Sequence, residues 1–291
     1  MTSVADVLSE ATTRYERVYF RPGLGNAGDA LIAAGFYAQA DRIGLDFTEL
    51  PGTPLAVPRL TKDDLVILTG GSWLATHWDF GTDVVESLTR FDPSLLLLPQ
   101  SLYGNEGTLR RLRPQDTLFT RERYSHEFAQ SLGLDCRIEL DDDMAIHLDP
   151  LPLLDAPWQV RPRTRQDIER LIALARLKAR ASRHPVLQAW RVDNEASGER
   201  EARWRDDLSL TANFGTRDRH SIETSAGWLM RAISWYERVE TDRLHVGIGA
   251  ALLGTPVTIH TNSYYKIRGI YEYSLRDNPR FADLVRYVDH A

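Results

Sequence analysis

The sequence predicts two α/β domains of similar size with a cleft between them. Three observations carry that expectation. Short apolar runs alternate with amphipathic helical stretches through both halves of the chain, the rhythm of parallel sheets covered by helices. In the first half the runs stop in glycine or polar residues, as strands do where an open α/β sheet meets its ligand. Residues 149–157 hold Pro150, Pro152 and Pro157, a break between the halves. The expected division is residues 1–154 as the first domain, 155–184 as a linker with a basic helix, and 185–291 as the second domain.

Composition narrows the function classes. A chain of 291 residues with 43% hydrophobic and 26% charged residues fits a soluble two-domain protein. A formal net charge of −6 argues against nucleic acid as the main partner, because phosphate backbones select basic faces. Cys136 is the one cysteine, which rules out an intramolecular disulfide and a cysteine-based zinc site. Residues 1–15 carry Asp6, Glu10 and Arg14 and do not resemble a signal peptide. The longest apolar run, residues 246–259, is too short for a membrane span. The expected location is the reducing cytoplasm, free in solution or at the inner face of the membrane. Lysine occurs only at Lys62, Lys178 and Lys266. Lys266 therefore stands out as a compact charge in an arginine-rich background.

Residues 17–21 form the first expected strand and run into Pro22-Gly23-Leu24-Gly25-Asn26-Ala27-Gly28-Asp29, then a helix over residues 30–42. Strand, glycine-rich turn and helix bring backbone N–H groups up to a ligand anion. The Gly-x-Gly-x-x-Gly spacing is met, but no acidic residue ends the next strand as a dinucleotide site needs, and no Gly-Lys-Ser/Thr follows. Asn26 and Asp29 are the polar members of the turn, and Asp29 is a candidate cap for the helix.

Further strands are expected at residues 47–50, 64–69, 94–98, 118–120 and 137–140. They end in Gly70-Gly71-Ser72 with His77 beyond, Pro99-Gln100-Ser101, Arg121-Glu122-Arg123, and Asp141-Asp142-Asp143. Turn chemistry explains any one of these. It explains less well why Asn26, Ser72, Gln100, Arg121 and Asp143 all fall at strand ends. A helix is expected over residues 125–132.

In the second half, residues 166–182 form a basic amphipathic helix. It faces an anionic lipid surface, solvent or the other domain. A strand over residues 185–190 delivers Arg191, Asp193 and Glu195, whose alternation places them on one face. Residues 197–221 read as a long polar loop. A helix over residues 225–238 leads to Asp242-Arg243-Leu244-His245, where Asp242 is the expected cap of a small-residue helix that stops at Gly254. Arg243 and His245 at that helix start add cationic donors to an N-terminus that already favours anions. The competing reading is a buried helix with Asp242 paired to Arg243. A strand over residues 256–260, the segment Asn262-Ser263-Tyr264-Tyr265-Lys266, and a helix over residues 279–290 complete the chain.

Together these segments resemble the polysaccharide pyruvyl transferase family. The resemblance rests on Gly25-Asn26-Ala27-Gly28-Asp29, Gly70-Gly71-Ser72, Pro99-Gln100-Ser101, Thr120-Arg121-Glu122-Arg123, Asp143-Met144-Ala145, Arg191-Val192-Asp193-Asn194-Glu195, Asp242-Arg243-Leu244-His245 and Asn262-Ser263-Tyr264-Tyr265-Lys266, in family order. It implies two Rossmann-like domains arranged as in GT-B glycosyltransferases. It also implies transfer of a pyruvyl group from phosphoenolpyruvate to sugar hydroxyls of an exopolysaccharide or its lipid-linked precursor, as a ketal. No cofactor is implied beyond that donor. Family roles carry over to Arg243, Leu244, His245 and Arg121 as phosphoenolpyruvate contacts. Asp142-Asp143 stands where Pro-Asp is commoner.

The chemistry suits these residue types. Phosphoenolpyruvate bears a phosphate and a carboxylate, which Arg121 and Arg243 can each grip as a fork. His245 is the candidate general acid, and Asp29 or Asp143 the candidate base. Further substrate contacts are expected from Asn26, Gly71, Ser72, His77, Gln100, Arg191, Asp193, Glu195 and Lys266. No metal cluster is evident. Two rival readings are a nucleotide-sugar glycosyltransferase of the same architecture and a non-catalytic component of polysaccharide synthesis.

Overall fold

A computed structural model describes residues 2–50, 59–76, 80–157, 160–193 and 207–289. The chain divides into two compact units. The first comprises residues 1–24 and 35–144, the second residues 25–34 and 145–291.

The first unit opens with α1 (Val4–Arg14), whose cap is reciprocal: Ser3 accepts from the Asp6 N–H while Asp6 accepts from the Ser3 N–H. Then follow β1 (Arg17–Arg21), α2 (Ala27–Ile43), whose residues 27–34 count with the second unit, β2 (Thr48–Glu49), β3 (Asp64–Leu68), α3 (Phe80–Thr89), β4 (Ser94–Gln100), α4 (Glu106–Leu109), β5 (Thr117–Thr120), α5 (Arg123–Ser131) and β6 (Arg137–Leu140). The six strands form one sheet in the order β2-β1-β3-β4-β5-β6, with every pairing parallel. β3 and β4 are buried at every position, as their unbroken aliphatic runs require in a sheet covered on both faces. The strand order reverses between β1 and β3, where such sheets open a crevice at their carboxyl ends. Phe20 of β1 stacks on Phe36 of α2 at 3.9 Å and meets Tyr37 edge-on at 5.4 Å. Such pairs add about 0.5–1.5 kcal/mol beyond their buried area.

The second unit holds α6 (Leu151–Asp155), α7 (Arg165–Ala181), β7 (Val186–Ala189), α8 (Leu208–Thr211), α9 (Arg219–Ile233), β8 (Arg238–Thr241), α10 (Leu244–Leu252), β9 (Val257–His260), α11 (Lys266–Ile270) and β10 (Val285–Val288). Its sheet runs β10-β9-β8-β7, again wholly parallel. The small residues of α10 serve close packing. A Cβ added at Gly247 would lie 2.4 Å from Ile259 Cδ1 of β9, and one at Gly249 3.0 Å from Ile233 Cδ1 of α9. Among the described residues no helix is long and apolar enough to cross a membrane.

The structure corrects several expectations. Residues 285–288 are a strand parallel to β9, not part of a helix. Phe281, Leu284, Val285 and Val288 have helical spacing, but pairing with β9 decides the outcome. The helix expected over residues 225–238 begins earlier, at Arg219, and ends at Ile233; residues 234–237 turn the chain into β8, which takes Arg238. The expected loop over residues 197–221 falls partly outside the described residues. Its described part contains α8 and the start of α9. α2 begins at Ala27 rather than Ala30, so Asp29 sits in its first turn instead of capping it. Asp242 does not cap α10 either: the cap position is Arg243, and the Asp242 carboxylate accepts the Arg191 N–H at 2.8 Å.

Candidate functional site

Two features of the second unit meet at one place, the glycine-rich turn before α2 and the head of α10. In the turn, Asn26 Oδ1 accepts the Gly28 N–H at 2.8 Å while Asp29 Oδ2 accepts the Asn26 N–H at 2.8 Å. The polar pair thus closes the helix start reciprocally. A Cβ at Gly25 would lie 2.1 Å from Asp29 Oδ2, so any side chain there must displace the carboxylate that closes the turn. The turn is cradled from residues 213–216. Asn213 Nδ2 donates to the Gly25 carbonyl at 2.9 Å, and the Gly25 N–H donates to Thr216 Oγ1 at 3.2 Å. Gly215 takes φ +120°, and its carbonyl accepts from Ser225 Oγ at 2.8 Å, which ties this cradle to α9.

His245 lies half-buried in the first turn of α10. Its ring faces Gly28: an added Cβ there would lie 3.0 Å from His245 Nδ1 and 3.1 Å from its Cβ. Leu244 beside it is buried among the core residues. At the cap, the Arg243 N–H donates to Thr241 Oγ1 at 2.9 Å, and Thr241 in turn donates to the Ala189 carbonyl at 2.6 Å. β7 and β8 are thus pinned where they deliver the site.

The Arg243 guanidinium is 5% exposed and committed to carboxylates. Its Nε lies 3.0 and 3.1 Å from the two oxygens of Asp207, its Nη2 also pairs with Asp207, and its Nη1 lies 2.9 Å from Asp193 Oδ2. Asp207 is fully buried, caps α8 through the Leu210 N–H and also accepts the Val192 N–H at 3.3 Å. Arg191 forks onto Asp193, Nε to Oδ1 at 2.8 Å and Nη2 to Oδ2 at 3.2 Å. Two buried arginines therefore share one carboxylate. Burial pushes the Asp242 carboxyl above its ordinary range, against the opposing pull of the Arg191 N–H and of the Arg191 and Arg243 charges.

Lys266 opens α11, buried, with Nζ 5.1 Å above the Tyr264 ring. Glu195 and His77 lie outside the described residues.

The first unit collects its own set of strand-end residues. Arg121, 1% exposed, donates Nη1 to Asp143 at 2.6 Å and Nε to Ser101 Oγ at 2.9 Å. Asp143 is fully buried beside it. Glu122 caps α5 by accepting the Ser125 N–H at 2.9 Å and its hydroxyl. Burial raises the Glu122 pKa against those bonds. Gln100 is buried, with Nε2 donating to the Thr69 carbonyl at 2.6 Å. Gly71 takes φ +129° and bridges to β4, its N–H donating to the Pro99 carbonyl and its carbonyl accepting the Ser101 N–H. Ser72 follows, half-buried. At the strand reversal a cavity of about 10 Å³ is lined by Arg21, Pro22, Gly23, Leu68, Thr69, Trp73 and Val84. Burial pulls the Arg21 pKa down.

Of the sequence candidates, Asn26, Asp29, Arg191, Asp193, Arg243, Leu244 and His245 gather in the second unit. Gly71, Ser72, Gln100, Arg121 and Asp143 gather in the first. The sequence reading missed Asp207, Asn213 and Thr216. The local signal for Asn213 and Thr216 was Asn-Phe-Gly-Thr at residues 213–216, a polar segment that reads as ordinary loop.

Two wholly parallel α/β sheets define an α/β protein, which carries a buried arginine–carboxylate cluster and a histidine at a helix head. The chain belongs to the polysaccharide pyruvyl transferase family, whose model matches residues 26–264. Among its relatives is "Putative pyruvyl transferase EpsO" of Bacillus subtilis (strain 168), 25% identical over 292 residues that cover 93% of this chain and 87% of that protein. "General stress protein 30" of the same organism is 24% identical over 299 residues, covering 92% of this chain and 79% of that protein. A functionally uncharacterized protein from Klebsiella pneumoniae subsp. pneumoniae NTUH-K2044 shares the fold, with a TM-score of 0.73 at 23% identity over 98% of this chain and 96% of that one.

Proposed function

We propose that this transferase moves the pyruvyl group of phosphoenolpyruvate onto two hydroxyls of a sugar in an exopolysaccharide or its lipid-linked precursor. The observation that carries the reading is the placement of His245 in the first turn of α10, beside the Arg243 cap and against Gly28. A helix start with a buried arginine suits a phosphate or carboxylate, and an adjacent imidazole suits proton transfer near neutral pH.

The chemistry balances without a further reactant. His245 delivers a proton to the methylene carbon, which becomes the ketal methyl group. A sugar hydroxyl oxygen bonds to the central carbon as its proton passes to a base. Asp29, next to the Gly28 that the His245 ring faces, suits that role better than Asp143, which is wholly buried against Arg121. The carbon–oxygen bond to phosphate breaks, and a second hydroxyl closes the ring. Of the two hydroxyl protons lost, one equals the proton gained by the methyl group and the other leaves with inorganic phosphate.

The test is a thermal-shift titration with phosphoenolpyruvate, UDP and GDP, since a ligand that binds only the folded state raises the melting temperature with its concentration. A shift with phosphoenolpyruvate alone, lost in Arg243→Ala, is the expected result. A shift with a nucleotide and none with phosphoenolpyruvate would make the chain a nucleotide-sugar glycosyltransferase.

A further inference from the structure

We infer that the outward face of α7 docks this chain on an anionic lipid surface. Docking of this kind goes beyond the pyruvyl-transfer reading and does not depend on it.

α7 has one apolar side toward its own unit and a second facing away. Ala173 and Leu174 are buried, and the Tyr236 hydroxyl donates to the Leu177 carbonyl at 2.8 Å, which fixes the helix to the turn after α9. At about 3.6 residues per turn, the side opposite is the line Ile168, Ile172, Ala175 and Ala179. All four are exposed, Ile168 by 49% and Ile172 by 46%. Single exposed apolar residues are ordinary, but a surface helix normally turns polar residues outward along this line. Because α7 is already folded and held, its outer face meets a surface without a cost of ordering.

The charges beside that line select the surface. Residues 170–192 contain no Asp or Glu, in a chain whose formal net charge is −6. Arg176, Lys178, Arg180 and Arg183 lie in that stretch, exposed and paired with no carboxylate among the described residues. The acids of α7 sit near its start and are engaged, Asp167 in the cap and 3.7 Å from Arg170, Glu169 3.0 Å from Arg165. Glu237 and Arg238, exposed beside Pro185 at the turn into β8, add one charge of each sign. Lys178 lies 5.9 Å over the Trp235 ring, which sets a half-buried tryptophan next to the cations.

An aliphatic row with long cationic side chains alongside is how a helix lies in a lipid interface. The stems rest over the acyl boundary and the charged heads reach the phosphates, where tryptophan also favours the interface. A soluble polyanion would use the cations and leave the isoleucines idle. A second copy of this chain would use the isoleucines but brings more cations than acids on the same face.

Co-sedimentation of the full chain with vesicles tests this, using phosphatidylcholine alone and phosphatidylcholine with phosphatidylglycerol, at low and high salt. Binding is expected only to the anionic vesicles, and weaker at high salt. Arg176→Gln combined with Arg180→Gln should weaken it about fivefold for each cation removed. Ile168→Asp with Ile172→Asp should remove it at an unchanged melting temperature, since both positions are exposed. Should that pair fail to fold, Ile168→Ser with Ile172→Ser should show the same loss. No binding of the wild type to anionic vesicles, or equal binding to neutral ones, overturns the inference. Equal binding to dextran sulfate that the isoleucine variants retain would make the face a polyanion site and overturn the lipid assignment. A dimer in sedimentation velocity that the isoleucine variants dissociate, without vesicle binding, would give the face to a second copy instead.

Discussion

Gly28 and His245 are packed closely enough that a Cβ on Gly28, 3.0 Å from His245 Nδ1, would require the imidazole to give by a few tenths of an ångström. The same atom would sit 3.0 Å from Asn26 Oδ1, so that side chain would have to give as well. A methyl group here must move the imidazole or open the turn. Gly28→Ala is expected to cost about 1–3 kcal/mol of stability, the usual range for overpacking. It should lower kcat more than the loss of folded protein explains. Equal stability and equal turnover would show that His245 moves aside freely and takes no part in catalysis.

The second prediction concerns the buried counter-charge of Arg243. Asp207→Asn leaves a buried guanidinium with half its carboxylate support. Breaking one partner of a buried pair costs about 3–5 kcal/mol. Urea unfolding should show a loss approaching that range and a weakened α8, which Asp207 also caps. A loss near zero would mean that Asp193 alone satisfies Arg243.

Acid titration isolates Asp242. Its native pKa lies above the ordinary value of 3.8 because burial penalises the charged form. As pH rises from that ordinary value through the native pKa, the unfolded chain releases the proton first. Stability contributed by this group therefore falls over that window. Asp242→Asn keeps an acceptor for the Arg191 N–H and has no proton to lose, so the wild type should lose ground against it as pH rises from about 4 through the native pKa. Unfolding free energies for both proteins at several pH values in that window decide the matter. A constant difference would mean that Asp242 titrates alike in both states.

Cys136 offers a check on the first unit. Burial, and then the Asp116 charge, push its thiol to about 12. The thiolate is the reactive form. Iodoacetamide at pH 8 should leave the native protein unmodified and label it fully in denaturant. Rapid native labelling would show that the core around Cys136 opens.

The sequence made the sheets legible because parallel strands buried on both faces leave continuous aliphatic runs, as at Leu65-Val66-Ile67-Leu68 and Leu95-Leu96-Leu97-Leu98. It misled at residues 281–288, where one apolar set satisfies helical spacing and a strand pattern alike, and only the β9 edge breaks the tie. The cluster around Arg243 was half visible. Arg191, Asp193 and His245 sit in recognisable strand-end and helix-start segments, but Asp207 reaches Arg243 across 36 positions, and no local periodicity encodes such a pair. Asp242 was misassigned for a related reason. An acid before a helix reads as a cap, yet here the Arg191 N–H, just beyond β7, claims it.

One consequence follows from where the units divide. Residues 25–34 belong with residues 145–291, although residues 35–144 lie between them in the chain. A fragment starting at Ala145 would therefore lack the Gly25 turn that Asn213 and Thr216 hold, and the Leu31 side chain beside Gly249. During synthesis the segment that completes the His245 site leaves the ribosome long before the rest of its unit, and must wait, unpartnered, for the end of the chain.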